Sequence, residues 1–144
     1  MSKQPLTFFI PKPPNNSLGA IYFDTGISAG FPSPADDFKQ ERLSLDSELI
    51  KNKEATFFAR VSGQSMIDAG LNDNDLLVID RSLSPTHNRI AVCFLDGEFT
   101  VKRLKVVSDE VWLQPENKHY KPIKVTPEND FIIWGIVTNV IKKV

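Results

Sequence analysis

From Thr56 onward this chain is written in short β-prone runs separated by turn-forming residues, a pattern that limits it to a mainly β fold. The runs cover residues 56–61, 76–80, 90–95, 98–104, 110–113 and 131–142. Between them stand Asn72-Asp73-Asn74-Asp75, Pro85-Thr86-His87-Asn88 and Asp96-Gly97. The last pair predicts a tight hairpin, because Asp and Gly tolerate the positive φ that a type I′ turn demands at both of its central positions. Strand alternation after that hairpin puts Thr100, Lys102 and Leu104 on one face, so Lys102 is expected to point inward. Gly135, inside the last apolar run, predicts a bulge or a close backbone approach.

The first part of the chain has a different texture. Pro5, Pro11, Pro13, Pro14, Gly19, Gly26, Gly30, Pro32 and Pro34 leave no room for a long helix or a central strand. Residues 1–40 therefore read as an extended arm, and residues 41–144 as a β-rich domain that opens with a short capped helix around Asp46-Ser47-Glu48-Leu49-Ile50. A chain of 144 residues suits one domain plus an arm, and nothing in the arm reads as a helix-turn-helix. The apolar run from Leu6 to Ile10 is closed by Pro11, too short for a signal-peptide core or a membrane span, so a cytoplasmic protein with no membrane partner is expected. Cys93 is the only cysteine and sits in the apolar run Ile90-Ala91-Val92-Cys93-Phe94-Leu95, as a buried strand residue would in a reducing compartment. With 17 basic against 18 acidic residues and a net charge of −1, the chain has no electrostatic footprint for strong direct binding to nucleic acid. Any work on DNA would pass through a partner.

Two residues carry chemistry. Ser65 lies in the tight Gly-containing stretch Ser62-Gly63-Gln64-Ser65-Met66, and Lys102 in Phe99-Thr100-Val101-Lys102-Arg103-Leu104. A serine hydroxyl becomes a nucleophile only when a base takes its proton, and a lysine is that base only when burial strips its charge. Its pKa must fall well below the free value of about 10.4. On their own, a turn serine and a solvated strand lysine are ordinary; their pairing is what draws attention. Arg103 should face away from Lys102 and, with Lys105, is assigned to a solvated surface, while Ser62 reads as a turn or cap residue. His87 and His119 offer a conventional triad with Asp68, Asp80 or Asp96, but both fall in loop-like stretches, where a surface role is favoured. No His, Cys and carboxylate spacing suggests a metal and no Gly-rich strand-to-helix loop suggests a nucleotide, so no cofactor is expected. Asn72-Asp73-Asn74-Asp75 lacks the rest of a calcium loop and reads as a β-turn.

Taken in order, Ser62-Gly63-Gln64-Ser65-Met66-Ile67-Asp68, Asp75-Leu76-Leu77-Val78-Ile79-Asp80 and Asp96-Gly97-Glu98-Phe99-Thr100-Val101-Lys102-Arg103-Leu104 resemble the LexA-type self-cleaving serine peptidases, most closely their UmuD-type members. Gly30-Phe31-Pro32-Ser33-Pro34 sharpens the likeness, since UmuD-type proteins carry a similar segment directly after their cleavage point. The resemblance runs from Gly30 to the C-terminus. It implies a LexA-like peptidase fold of twisted, partly barrel-like antiparallel sheets with an extended N-terminal arm. It also implies Ser65 as nucleophile, Lys102 as base, and the backbone N–H groups of Gln64 and Ser65 as oxyanion hole. The absence of a membrane anchor weighs against type I signal peptidases, which use the same two residue types.

The implied cut falls between Ala29 and Gly30. Enterobacterial UmuD is cut at Cys-Gly, whereas Ala-Gly is the pair of LexA and phage repressors, and either keeps a small residue before the scissile bond. The other Ala-Gly pair, Ala69-Gly70, lies too close to Ser65 to enter its own site. The tether from Gly30 to Ser65 spans up to about 115 Å when extended, so cutting within a chain or between dimer mates is equally open. The resemblance further implies stimulation by a RecA filament on single-stranded DNA. The trimmed homodimer would then serve a UmuC-like polymerase in error-prone synthesis past lesions during the SOS response. The rival expectation is a non-cleaving polymerase accessory or repressor-like dimerisation module with the same fold.

Overall fold

The computed structural model describes residues 6–11, 20–22, 41–63 and 67–144. The chain divides into two units, one formed by Met1–Pro11 with Asn52–Val144 and the other by Lys12–Lys51. In chain order the strands are β1 (Leu6–Phe9), β2 (Ala20–Tyr22), β3 (Glu41–Leu43), β4 (Thr56–Val61), β5 (Leu76–Asp80), β6 (Ile90–Leu95), β7 (Glu98–Val107), β8 (Glu110–Gln114), β9 (Ile123–Lys124) and β10 (Phe131–Ile141). The fold is mainly β, as the turn-punctuated sequence predicts.

In the smaller unit β2 and β3 pair antiparallel, and a five-residue helix, α1 (Leu45–Leu49), follows. Ser44 caps it, its hydroxyl accepting from the Ser47 amide at 3.4 Å, and Asp46 and Glu48 lie in its first turn.

The larger unit is an eight-stranded antiparallel sheet in the order β1-β4-β5-β10-β6-β7-β8-β9, curved into a half-barrel. Sequence neighbours β6 and β7 are joined by the expected hairpin, with Asp96 at φ 48° and Gly97 at φ 91°. The acidic turn is also as expected: Asp75 N–H donates to Asn72 O at 3.2 Å and Asn74 takes φ 76°. β10 threads between β5 and β6, its register shifting between Ile133 and Gly135 and again between Val137 and Asn139. A Cβ on Gly135 would stand 2.6 Å from Ile79 Cγ2 and 3.2 Å from Arg81 Cγ, so bulge and close approach coincide there.

Two apolar clusters hold the sheet. One gathers Leu6, Ala59, Val61, Leu71, Leu77, Ile79, Val92 and Val101, with Phe8, Phe99 and Trp134 packed on it. The other gathers Ala91, Cys93, Leu104, Leu113 and Ile136. Leu6–Phe9 forms the edge strand of the main sheet beside β4, and the larger unit takes up the chain again at Asn52. Leu6 is buried, and the Phe8 ring meets Phe99 at 5.0 Å and Trp134 at 4.8 Å. Prolines beside a run exclude a central strand but leave an edge strand open. Asp80 ties the resumed chain to β5: its carboxylate accepts from Asn52 Nδ2 at 2.8 Å, from Ser82 N–H at 2.8 Å and from Ser82 Oγ at 2.6 Å. Burial alone would raise this carboxyl, but the Ser82 and Asn52 bonds outweigh it and hold Asp80 below the ordinary 3.8.

Candidate active site

β7 carries Lys102 into the apolar interior. Lys102 pairs across the sheet with Ala91, and Thr100 with Cys93. Leu104, two residues on, is buried in the same cluster as Ala91 and Cys93. Lys102 is only 8% exposed, as its place in the strand alternation predicts. Its Nζ donates to Thr100 Oγ1 at 2.8 Å, a partner on the same face two residues earlier. Burial pushes the ammonium pKa below 10.5, and Cys93 beside it acts weakly the other way. The Cys93 thiol is itself driven up to about 12 by burial, against the opposing charge of Lys102. It therefore stays protonated, an inert core residue as expected. A lysine so placed gives up its proton more readily than a solvated one.

Ser65, together with Gln64 and Met66, lies outside the described residues, as do Ala29 and Gly30. The chain on either side of Ser65 is anchored. Before it, Gly63 takes φ 101° at the end of β4 and its N–H donates to Asp73 Oδ1 at 3.1 Å. After it, a 3-10 turn spans Ile67–Ala69. The Asp68 N–H donates to Glu116 O at 2.5 Å, and the Asp68 carboxylate accepts from Lys118 N–H at 3.3 Å. An open cleft of about 260 Å³ beside this turn is lined by Asp68, Glu116, Lys118 and Tyr120, among other residues.

The conventional triad finds no support among the described residues. His87 is exposed and its Nδ1 accepts from Val106 N–H at 2.9 Å. His119 is exposed too, its amide donating to Asn117 Oδ1. The three candidate orienting carboxylates are engaged elsewhere: Asp68 with Lys118, Asp80 with Asn52 and Ser82, and Asp96 with Asn129 and Asp130. No group of three His, Cys, Asp or Glu among the described residues could hold a metal ion, and no helix there is long and apolar enough to cross a membrane.

Arg103 departs from its expected solvated setting. Its Nε donates to Glu116 Oε1, its Nη1 donates to Asn88 O at 2.6 Å, and the two paired side chains are 25% and 26% exposed. Lys105 likewise donates to Asn88 Oδ1 at 2.5 Å. Strand periodicity separates Arg103 from Lys102 but cannot say that Glu116, from the segment after β8, will meet it. Thr100, by contrast, was within reach of the same periodicity that turned Lys102 inward.

The family described as Peptidase S24-like matches residues 21–138. Protein MucA of Salmonella typhimurium is 44% identical over 114 residues, 78% of this chain and 77% of MucA. Protein ImpA of Shigella flexneri is 45% identical over 121 residues, 84% of this chain and 82% of ImpA. The LexA repressor of Stenotrophomonas maltophilia is 35% identical over 116 residues, 81% of this chain and 54% of the repressor.

Proposed function

The chain belongs to the S24-like peptidases, serine peptidases of the LexA/UmuD type, and on that premise we propose that it is a self-cleaving Ser-Lys peptidase that cuts its own arm between Ala29 and Gly30. The observation that carries this reading is the burial of Lys102 in the middle of β7, which favours the neutral amine. Neutral Lys102 takes the Ser65 Oγ proton as Oγ attacks the Ala29 carbonyl carbon. The N–H groups of Gln64 and Ser65 stabilise the oxyanion. Lys102 then gives that proton to the departing Gly30 nitrogen, and the C–N bond breaks to leave Ala29 esterified to Ser65. Water, deprotonated by Lys102, attacks the ester, and the proton returns to Ser65 Oγ. The substrate is tethered to the enzyme, so effective concentration replaces substrate affinity.

In this reading residues 1–40 form the arm that carries the cut and 41–144 the peptidase and dimerisation domain, with β1 the part of the arm seated on the main sheet. The trimmed 30–144 product works as a cytoplasmic homodimer with a UmuC-like translesion polymerase, and a RecA filament on single-stranded DNA stimulates the cut. The near-neutral net charge of −1 supports reaching DNA through such partners. The test is the mass of the purified protein after alkaline incubation. Fragments 1–29 and 30–144 are expected from the parent and from neither Ser65→Ala nor Lys102→Ala. An uncut parent, with and without the RecA filament, would leave the non-cleaving accessory role in its place.

A further inference from the structure

We infer that Arg103, Glu116 and Asp68 form a strut that ties the 3-10 turn Ile67–Ala69, which follows Ser65 and Met66 in the chain, to β7, making Arg103 and Glu116 positioning residues for self-cleavage. The inference rests on the Ser65/Lys102 reading for its catalytic consequence, but the strut itself stands on bonds between described residues. β7 presents Lys102 to one face and Arg103 to the other. The Arg103 guanidinium grips the Glu116 carboxylate while its other arm holds Asn88 O at 2.6 Å. Asn88 sits at φ 71°, and its own N–H donates to Leu104 O at 2.8 Å. The guanidinium is thus fixed at both ends against the strand that bears Lys102.

Glu116 passes this constraint on through its backbone. Its carbonyl receives the Asp68 N–H at 2.5 Å, three residues beyond Ser65 in the chain. Asp68 closes the connection from its side, its carboxylate accepting from Lys118 N–H at 3.3 Å. On the other side of Ser65, Gly63 N–H is bonded to Asp73 at 3.1 Å, a contact that does not involve β7. Among the described anchors on either side of Ser65, the route through Glu116 is the one that also reaches the base-bearing strand.

A quarter-exposed ion pair adds little to folding stability because water already solvates both partners well. Its catalytic effect is expected to be larger, since misplacing reacting groups by about 1 Å costs on the order of a hundredfold in rate. Disproportion between the two effects is the signature of positioning.

The experiment uses the full chain with Glu116→Gln, Glu116→Ala, Arg103→Ala and the Arg103→Ala/Glu116→Ala double variant. Self-cleavage is followed against pH, and exchange of the Asp68 amide is followed by NMR in a Ser65→Ala background that keeps the chain whole. We expect about a tenfold or greater fall in the plateau rate, an unmoved midpoint, faster exchange at Asp68, and a double variant no slower than the slower single. Parental plateau rates, parental exchange at Asp68, or a midpoint that moves with the plateau would overturn the strut, the last because the pair would then act on the charge of Lys102. Should Glu116→Ala unfold, Glu116→Gln keeps the side-chain volume and the same readouts decide. If the parent itself cuts at no pH, with or without the RecA filament, the peptidase reading falls, while faster Asp68 exchange in the variants still upholds the strut.

Discussion

Lys102 Nζ donates to Thr100 Oγ1 at 2.8 Å, a bond between residues two apart on one face of β7. The hydroxyl accepts from the amine in either protonation state, but more strongly from the ammonium. It orients the nitrogen, and an acceptor that favours the ammonium is expected to work against the burial that lowers the Lys102 pKa. Thr100→Val keeps the shape and removes the acceptor. Self-cleavage should then show a midpoint at lower pH and a plateau several-fold lower, read from the pH–rate profile. An unchanged profile would mean that the bond does not orient the base.

Ser65→Ala and Lys102→Ala should each abolish cutting while the Tm stays near that of the parent. His87→Ala and His119→Ala should cut at parental rates, since both rings are exposed. The large fragment must begin at Gly30 on terminal sequencing, and a start at Gly70 would show that the substrate segment is misassigned. A bulky residue at position 30 should slow the cut by crowding the scissile bond.

Stability should report the same lysine. Its folded pKa lies below the ordinary 10.5, so between the two values the unfolded chain binds the extra proton and stability rises with pH. Below the folded pKa the buried ammonium exerts its full cost. In a Ser65→Ala background, Lys102→Met should therefore stabilise most below the folded pKa, and its advantage should shrink as pH climbs from there toward 10.5. Urea unfolding at a series of pH values measures it, and an advantage independent of pH would contradict the shift.

Gly135→Ala is predicted to destabilise by about 1–3 kcal/mol, because the new methyl must displace Ile79 from a fully buried site or move the β10 bulge. Thermal or urea denaturation checks this. Gly97→Ala meets no neighbour, and its smaller cost should come from φ 91° alone.

Removal of the arm should act as the functional switch. Lesion bypass by a UmuC-like polymerase should be supported better by a protein starting at Gly30 than by full-length Ser65→Ala. Equal support from both would show that the cut is not the switch. Tight binding of the isolated protein to DNA at physiological salt would contradict recruitment through partners.

What the sequence determined by itself is what short-range sterics and periodicity encode. The bounds of β4, β5 and β6, the Asp96-Gly97 hairpin, the capped helix near Asp46 and the inward turn of Lys102 each depend on residues within one turn or one strand. Tertiary structure alone decided the rest. That β10 lies between β5 and β6, and that Leu6–Phe9 leaves a proline-rich stretch to close the sheet edge, depends on which apolar faces remain to be covered once the local pieces exist. The setting of Lys102 needs Ala91 and Cys93 from a neighbouring strand, and the grip of Arg103 needs Glu116 from beyond β8. Alternation states which side a residue takes, but burial and pairing are properties of what arrives on that side, and those partners are joined by packing rather than by sequence proximity.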